Sequence, residues 1–283
     1  MGELTNLGLC ADYRDTMAKL IFAIREKKQR SQTLLRGLQL LEVIAKNSNL
    51  SIRELADEVN LPRSIVHRLI ATLESEKYIQ KNSAQPGYRL GIKLWSLGCV
   101  AVEGTEMKEI ARAQLEDLAC KTNELVVLAV IDGREVVYLD KIDCPQAVRA
   151  YLPIGGRAPA YCISTGKAIL AYRADGAIIH ITSAKKFNSK IPGGPEAFKL
   201  DLAQIRRRGY AINLGQWRGE VGGVASAIRD KQGNAVAAIG VTVPLHRLTK
   251  ENISRLGRLV MKAAATVSDI LGYEGDQRRR STA

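Results

Sequence analysis

The stretch "LSIRELADEVNLPRSIVHRLIATLESEKYIQK", residues 50–81, carries the reading of the fold. Ser51 followed by Glu54 is a capping box, in which the hydroxyl accepts from the Glu54 N–H and the carboxylate reaches back to the Ser51 N–H, so a helix starts at Ser51. Ile52, Leu55, Ala56 and Val59 recur at helical spacing and form its inner face. Asn60 stops that helix. Pro62, whose missing N–H costs nothing in a first turn, opens a third helix that buries Ile65, Val66, Leu69, Ile70 and Leu73. Two short helices joined by the tight turn "VNLP" form a helix-turn-helix.

Upstream, "SQTLLRGLQLLEVIAKNSN" places Leu34, Leu38, Leu41 and Ile44/Ala45 on one helical face, ended by Asn-Ser-Asn. Downstream, "YIQKNS" and "PGYRLG" are short extended runs around a turn, a β-hairpin wing. In such a motif the second helix enters the DNA major groove and its first turns touch base edges. Arg63, Ser64, His67 and Arg68 occupy those positions, Lys81 and Arg89 on the wing meet phosphates, and Ser51 at the start of the preceding helix completes the DNA-facing set. The alternative is a packing module whose basic residues are only solvated. A capped second helix, a basic start to the third and a basic wing together favour DNA.

The bulk numbers permit this reading without demanding it. The chain has 283 residues, enough for two domains, with 46% hydrophobic and 25% charged residues. The net charge of +13 is spread almost evenly along the chain, so charge alone does not place a nucleic-acid site. No apolar run is long enough to span a bilayer and no secretory leader pattern is present, so a cytoplasmic protein that does not contact membrane is expected. Five dispersed cysteines and three dispersed histidines form no metal-ligand spacing, and no cofactor is expected.

"CISTGKAILAY", residues 162–172, imitates the end of a phosphate-binding loop. Such a loop needs Gly five positions before Gly166, where Tyr161 stands, and Ser or Thr after Lys167, where Ala168 stands. The stretch reads instead as a helix with Ser164 as N-cap, Gly166 packed closely and Lys167 exposed. With no nucleophile–base arrangement elsewhere, an enzyme is not expected. A sensor acting through protein partners, docked by Arg206-Arg207-Arg208 or by the basic tail, is the weaker alternative.

The first 91 residues then become more specific. "SQTLLRGLQLLEVIAKNSNLSIRELADEVNLPRSIVHRLIATLESEKYIQKNSAQPGYRLGIKLWSLG" resembles the winged helix-turn-helix of the IclR-type bacterial transcription factors, with Ile65 where that family usually has Thr and Lys77 where it usually has Gly. "GGRAPAYCISTGKAILA", "RRRGYAINLGQWRGEVGGVASAIRD" and "GNAVAAIGVTVP" are similar, in order, to three stretches of the family's effector-binding domain. The resemblance covers about residues 31–272. It implies an N-terminal extension (1–30), a winged helix-turn-helix (31–91), a linker helix (92–106), a GAF/PAS-like effector domain (107–272) and a basic tail (273–283).

Residue patterning in the second half agrees on an α+β domain with an antiparallel sheet. "LVVLAVIDGREVVYLDKI" is a hairpin turning at Asp132-Gly133, "AVRAYL" a third strand, and residues 164–173, 175–183 and 196–208 are helical. Two strands joined by "DKQG" follow, then a closing helix from about Thr249 to Leu271. The resemblance places the small-molecule site at Tyr138, Gly155, Gly156, Asn213, Val221, Gly223, Gly240 and Thr242. Family members often carry Asp at position 213, Cys near 223 and Ser at 240 and 242. The smaller, less polar set here implies a roomier site and a bulkier ligand, with Arg149, Arg157 and Arg218 as candidate carboxylate partners. The implied protein is a ligand-responsive regulator binding a near-palindromic operator as a homodimer or tetramer, a repressor of a catabolic operon, with activation as the rival.

Overall fold

The computed structural model describes residues 31–82, 86–103, 107–184 and 187–275. The expected extension 1–30, the tip of the wing, and the tail beyond residue 275 lie outside these. Two compact units divide the chain, Met1–Gly104 and Thr105–Ala283.

In the first unit, α1 (Gln32–Lys46), α2 (Ile52–Val59) and α3 (Arg63–Ser75) precede a two-stranded antiparallel wing, β1 (Ile79–Lys81) and β2 (Tyr88–Leu90), and α4 (Ile92–Glu103). The capping box forms as its residue types require: Glu54 N donates to Ser51 Oγ at 3.3 Å and Ser51 N donates to Glu54 Oε2 at 2.8 Å. Asn60 ends α2 in the left-handed region at φ +51°, a conformation that asparagine tolerates better than most residues. Pro62 is the N-cap of α3 rather than a residue of its first turn. Leu40, Ile44, Leu55, Val66, Ile70 and Ile79 close a small core. Within α1 the buried positions are Gly37, Leu40 and Ile44, whereas Leu34 and Leu38 are exposed. Leucines surround more than half of this helix, so its sequence offers two apolar faces, and packing against α2 and α3 selects the one expected to be outer.

The wing is tied to the α1–α2 loop. Asn82 Nδ2 donates to the Ser48 carbonyl at 2.9 Å, and Gly87 lies so close that a Cβ there would meet the same carbonyl at 2.7 Å.

In the second unit a six-stranded antiparallel sheet runs in the order β5-β4-β3-β8-β7-β6, from β3 (Leu125–Asp132), β4 (Glu135–Ile142), β5 (Arg157–Pro159), β6 (Ala211–Leu214), β7 (Val221–Arg229) and β8 (Ala235–Pro244). One face carries α5 (Met107–Thr122) and α10 (Lys250–Ile270). The other carries α6 (Ser164–Leu170), α7 (Asp175–Thr182), α8 (Phe187–Lys190) and α9 (Gly194–Arg208). Because both faces are covered, β3 is a continuous apolar run: Val126 and Leu128 join the α5/α10 core, while Leu125, Val127 and Ala129 join the other. Tyr161, Phe187 and Phe198 pack in sequence in that second core, one pair tilted and the other edge-to-face, with ring centroids 5.0 and 5.4 Å apart.

Several expectations are corrected. "AVRAYL" is not a strand. The free edge of β4 is taken by β5, pairing Val136 with Ala158, and residues 147–152 are held by side chains instead. Arg247 donates to the Val148 carbonyl at 3.1 Å while its other edge grips buried Glu124 at 2.7 and 2.8 Å. The β3–β4 turn falls on Gly133-Arg134, one residue later than expected. Ser164 is not a cap, since Ile163 holds that position and Ser164 is the first helical residue. Lys167 is not exposed: its side chain is 3% accessible, and its ammonium donates to Asp201 Oδ2 at 3.0 Å and the Ile212 carbonyl at 3.4 Å.

Lys77 follows α3 at φ +62° with an exposed side chain. A non-glycine residue there costs about 1–2 kcal/mol, partly offset by the greater unfolded-state freedom of glycine. Lys77→Gly is expected to raise stability by about 0.5–1 kcal/mol, read as a shift in denaturation midpoint at unchanged slope.

Candidate DNA interface and effector cavity

The start of α3 is an exposed polar surface. Arg63, Ser64, His67 and Arg68 are all open to solvent, because Val66, Leu69 and Ile70 turn the opposite side of the helix into the core. On the wing, Arg89 and Lys81 are exposed on opposite strands, and Lys81 makes a loose 3.9 Å contact with Glu74. Ser51 stands apart from this set. Its hydroxyl is engaged with Glu54, donating to Oε2 at 2.7 Å, and these bonds hold the Glu54 carboxyl below the usual carboxylate range. The Ser51 side chain serves the helix cap.

The second unit holds a cavity of about 40 Å³ beneath the start of α6. Five of the eight expected positions line it: Tyr138, Asn213, Val221, Gly223 and Thr242. Sequence reasoning missed Ser164 and Thr165, which enter from the first turn of α6, and the aromatic pair Tyr151 and Trp217. The only signal for Trp217 was its place inside the "GQWRGE" stretch, and Ser164 and Thr165 were visible only as neighbours of the site. Arg218 lines the cavity, and its charge is felt by the Tyr138 phenol. Arg157 is committed elsewhere, to Asp132 and Glu135 at 2.7 Å each, and Arg149 is bound to the Gln146 carbonyl at 3.2 Å. Of the three candidate arginines, only Arg218 lines the cavity.

Gly155, Gly156 and Gly240 do not line the cavity. Gly155 N donates to the Tyr138 carbonyl at 2.8 Å and Tyr138 N donates to the Gly156 carbonyl at 3.1 Å, so this loop acts on the site through backbone that positions the tyrosine. Gly240 and Gly223 serve close packing. A Cβ at Gly240 would meet Thr165 Cγ2 at 2.8 Å, and one at Gly223 would meet the Val241 carbonyl at 2.8 Å and Ser164 Oγ at 3.1 Å. The volume that glycine gives up here is filled by α6. Asn213 is buried and its Oδ1 accepts from Gln216 N at 3.0 Å, anchoring the loop that carries Trp217 and Arg218.

A family model described as the bacterial transcriptional regulator IclR C-terminal domain matches residues 99–269, and the IclR helix-turn-helix domain matches residues 33–83. The chain belongs to the IclR family. It is 30% identical over 250 residues to the transcriptional repressor IclR of Escherichia coli K12, covering 86% of this chain and 90% of that one. The Thermotoga maritima IclR structure superposes with a TM-score of 0.70 at 27% identity, over 85% of this chain and 99% of that chain. An IclR homologue from Microbacterium hydrocarbonoxydans, solved in complex with 4-hydroxybenzoate, shares the fold at TM-score 0.73 and 23% identity, over 85% and 99% of the two chains. The protein is accordingly a DNA-binding transcriptional regulator of the IclR family. No described helix is long and apolar enough to cross a membrane.

Burial pushes the Tyr138 phenol up to about 12, against the weaker opposite pull of Arg218. The folded state therefore favours the neutral phenol, while an unfolded tyrosine ionises near 10. Stability from this residue is intact below about pH 10 and is lost between 10 and 12. Between pH 8 and pH 11.5, wild type is expected to lose about 2 kcal/mol more than Tyr138→Phe, read by denaturant titration.

Proposed function

We propose that the protein is a repressor that binds a near-palindromic operator as a homodimer and is released by a small organic acid, preferably one with a ring. The observation that carries the DNA reading is the exposed Arg63-Ser64-His67-Arg68 surface at the start of the second helix of a helix-turn-helix, where Arg pairs bidentately with guanine and Ser with bases or phosphates. Lys81 and Arg89 extend it as backbone contacts. Repression is supported by the relative named a transcriptional repressor in Escherichia coli.

The effector reading rests on Arg218, Asn213, Ser164, Thr165, Thr242 and Tyr138 lining one cavity whose other walls are mostly apolar or aromatic. Arg218 suits a carboxylate, and Tyr151 and Trp217 suit a ring. The homologue bound to 4-hydroxybenzoate points the same way. At about 40 Å³ the cavity is smaller than such a ligand, so binding must move the Trp217 loop or the segment at 150–152. That requirement supplies the preference for one conformation that a population shift needs. In the dimer, the shift would alter the spacing of the two DNA-binding units. Dimerisation is supported by the apolar residues that the first unit leaves in solvent, Ile92, Trp95 and Val100 on α4 with Leu34 and Leu38 on α1.

Fluorescence anisotropy on operator DNA tests the reading. Affinity should fall steeply with salt. Arg63→Ala should cost about 1–3 kcal/mol and relax sequence preference, whereas Arg89→Ala should weaken all sequences alike and reduce the salt slope by about 1. A flat salt response would overturn DNA binding. In thermal-shift titrations 4-hydroxybenzoate should stabilise wild type by about 2.7 kcal/mol at 100 times its dissociation constant, and Arg218→Gln should abolish the effect. Trp95→Asp should move the protein toward monomer in sedimentation analysis.

A further inference from the structure

A cavity of about 40 Å³ has room for a few waters, so one of its two irregular rims must move to admit a ring-bearing acid. The rims are held differently. Segment 147–152 is clamped. The Val148 carbonyl accepts from both terminal nitrogens of Arg247 at 3.1 Å, and buried Glu124 fixes the same guanidinium at 2.7 and 2.8 Å. Arg149 closes back on the Gln146 carbonyl at 3.2 Å, Gln146 Nε2 donates to the Asn123 carbonyl at 2.9 Å, and Ala150 is buried. Pulling this rim away would leave the Glu124 carboxylate buried without its cation, which opposes the motion.

The other rim is the loop 215–220 between β6 and β7. Gln216 N donates to Asn213 Oδ1 at 3.0 Å and Val221 N to the Arg218 carbonyl at 3.0 Å, and the Lys190 ammonium lies 6.0 Å from the Trp217 ring centroid, at the outer limit of a cation–π contact. Trp217 and Arg218 line the effector cavity, whereas Gln216 lines a groove on the other side of the loop, with Lys167, Asp201 and Phe198. Its Oε1 is buried and no donor reaches it. Among the described residues it is the one buried side-chain oxygen or nitrogen without a hydrogen-bond partner. Such an acceptor has given up its bond to water and gained none, an effect that shifts an equilibrium by about 5- to 150-fold.

We propose that Gln216 is a positioning residue for the effector, and that its loop, not segment 147–152, is the rim that opens. This rests on the effector reading above. The unpaired oxygen disfavours the closed loop. Opening carries Trp217 and Arg218 outward and brings Oε1 to water, which relieves it. The ligand binds the open form, so its apparent affinity scales with the fraction of chains in which the loop is open. Gln216 sets that fraction without lining the effector cavity. Stability and affinity therefore respond with opposite signs: an apolar side chain at position 216 stabilises the ligand-free protein and weakens the ligand. A residue that only supported the fold would lower both together.

The test compares full-length wild type with Gln216→Met, close in length, and Gln216→Leu. Denaturant titration and amide hydrogen exchange are measured without ligand, and 4-hydroxybenzoate is then titrated calorimetrically. Both variants are expected to show a higher denaturation midpoint. Exchange in residues 215–220 should slow by at least about fivefold while that of 147–152 is unchanged, and the dissociation constant for 4-hydroxybenzoate should rise by at least about fivefold. The proposal is overturned if the midpoints of both variants equal or fall below that of wild type, if loop exchange is unchanged or faster, or if the variants bind 4-hydroxybenzoate as tightly as wild type. It is also overturned if the ligand changes exchange of wild type in 147–152 and not in 215–220. Should 4-hydroxybenzoate fail to bind wild type, the effector reading loses its ligand, and the midpoints and exchange rates, measured without it, still decide the role of Gln216.

Discussion

Helix α6 sits closer to the sheet than side chains on both surfaces would allow, and the second unit is organised around that approach. All seven of its residues are buried, and it touches β3, β4, β6, β7 and β8 as well as α9. Glycines make the contact possible from both directions. A Cβ at Gly166 would collide with the Ala160 backbone, one at Gly240 with Thr165, and one at Gly223 with the Val241 carbonyl and with Ser164. Close packing leaves little freedom to relax, so a single added methyl group must displace backbone. The same approach brings Ser164 and Thr165 to the wall of the effector cavity. Close packing and the position of the cavity are thus one feature of the fold.

The burial of Lys167 follows from this seat. An ammonium removed from water is costly unless paired, and here the carboxylate of Asp201 on α9 and the carbonyl of Ile212 on β6 receive it. One side chain thereby ties α6 to the helix and strand that lead into the Asn213–Trp217 loop. Asn213 continues the connection by accepting from Gln216 N. A comparable device holds the opposite rim, where buried Glu124 and the Val148 carbonyl share Arg247. Charged side chains, not strand pairing, therefore position the two irregular segments that flank the cavity.

Local chemistry was legible from the residues. The Ser51/Glu54 box, the Asn60 stop and the Thr249 cap of α10 each depend on groups within a few positions of one another. The site was only partly legible. Tyr138, Asn213, Val221, Gly223 and Thr242 line the cavity, whereas Gly155, Gly156 and Gly240 do not, because a glycine looks the same in sequence whether it yields space to a ligand or to a neighbouring helix. Leu34 and Leu38 show the matching ambiguity in α1, where a helix apolar on most of its circumference does not state which face its partners will choose.

The sequence by itself determined the helix-turn-helix with its basic leading edge, the antiparallel character of the larger unit, and the failure of residues 162–172 as a phosphate loop. Those features follow from hydrogen-bond donors, acceptors and apolar spacing that act over short stretches of chain. Tertiary structure alone decided that Lys167 is buried, that residues 147–152 stay outside the sheet, and that Arg157 is paired elsewhere while Arg218 reaches the cavity. Each depends on which distant segment claims a strand edge, a carboxylate or a volume first, and that competition is resolved only when the whole chain packs.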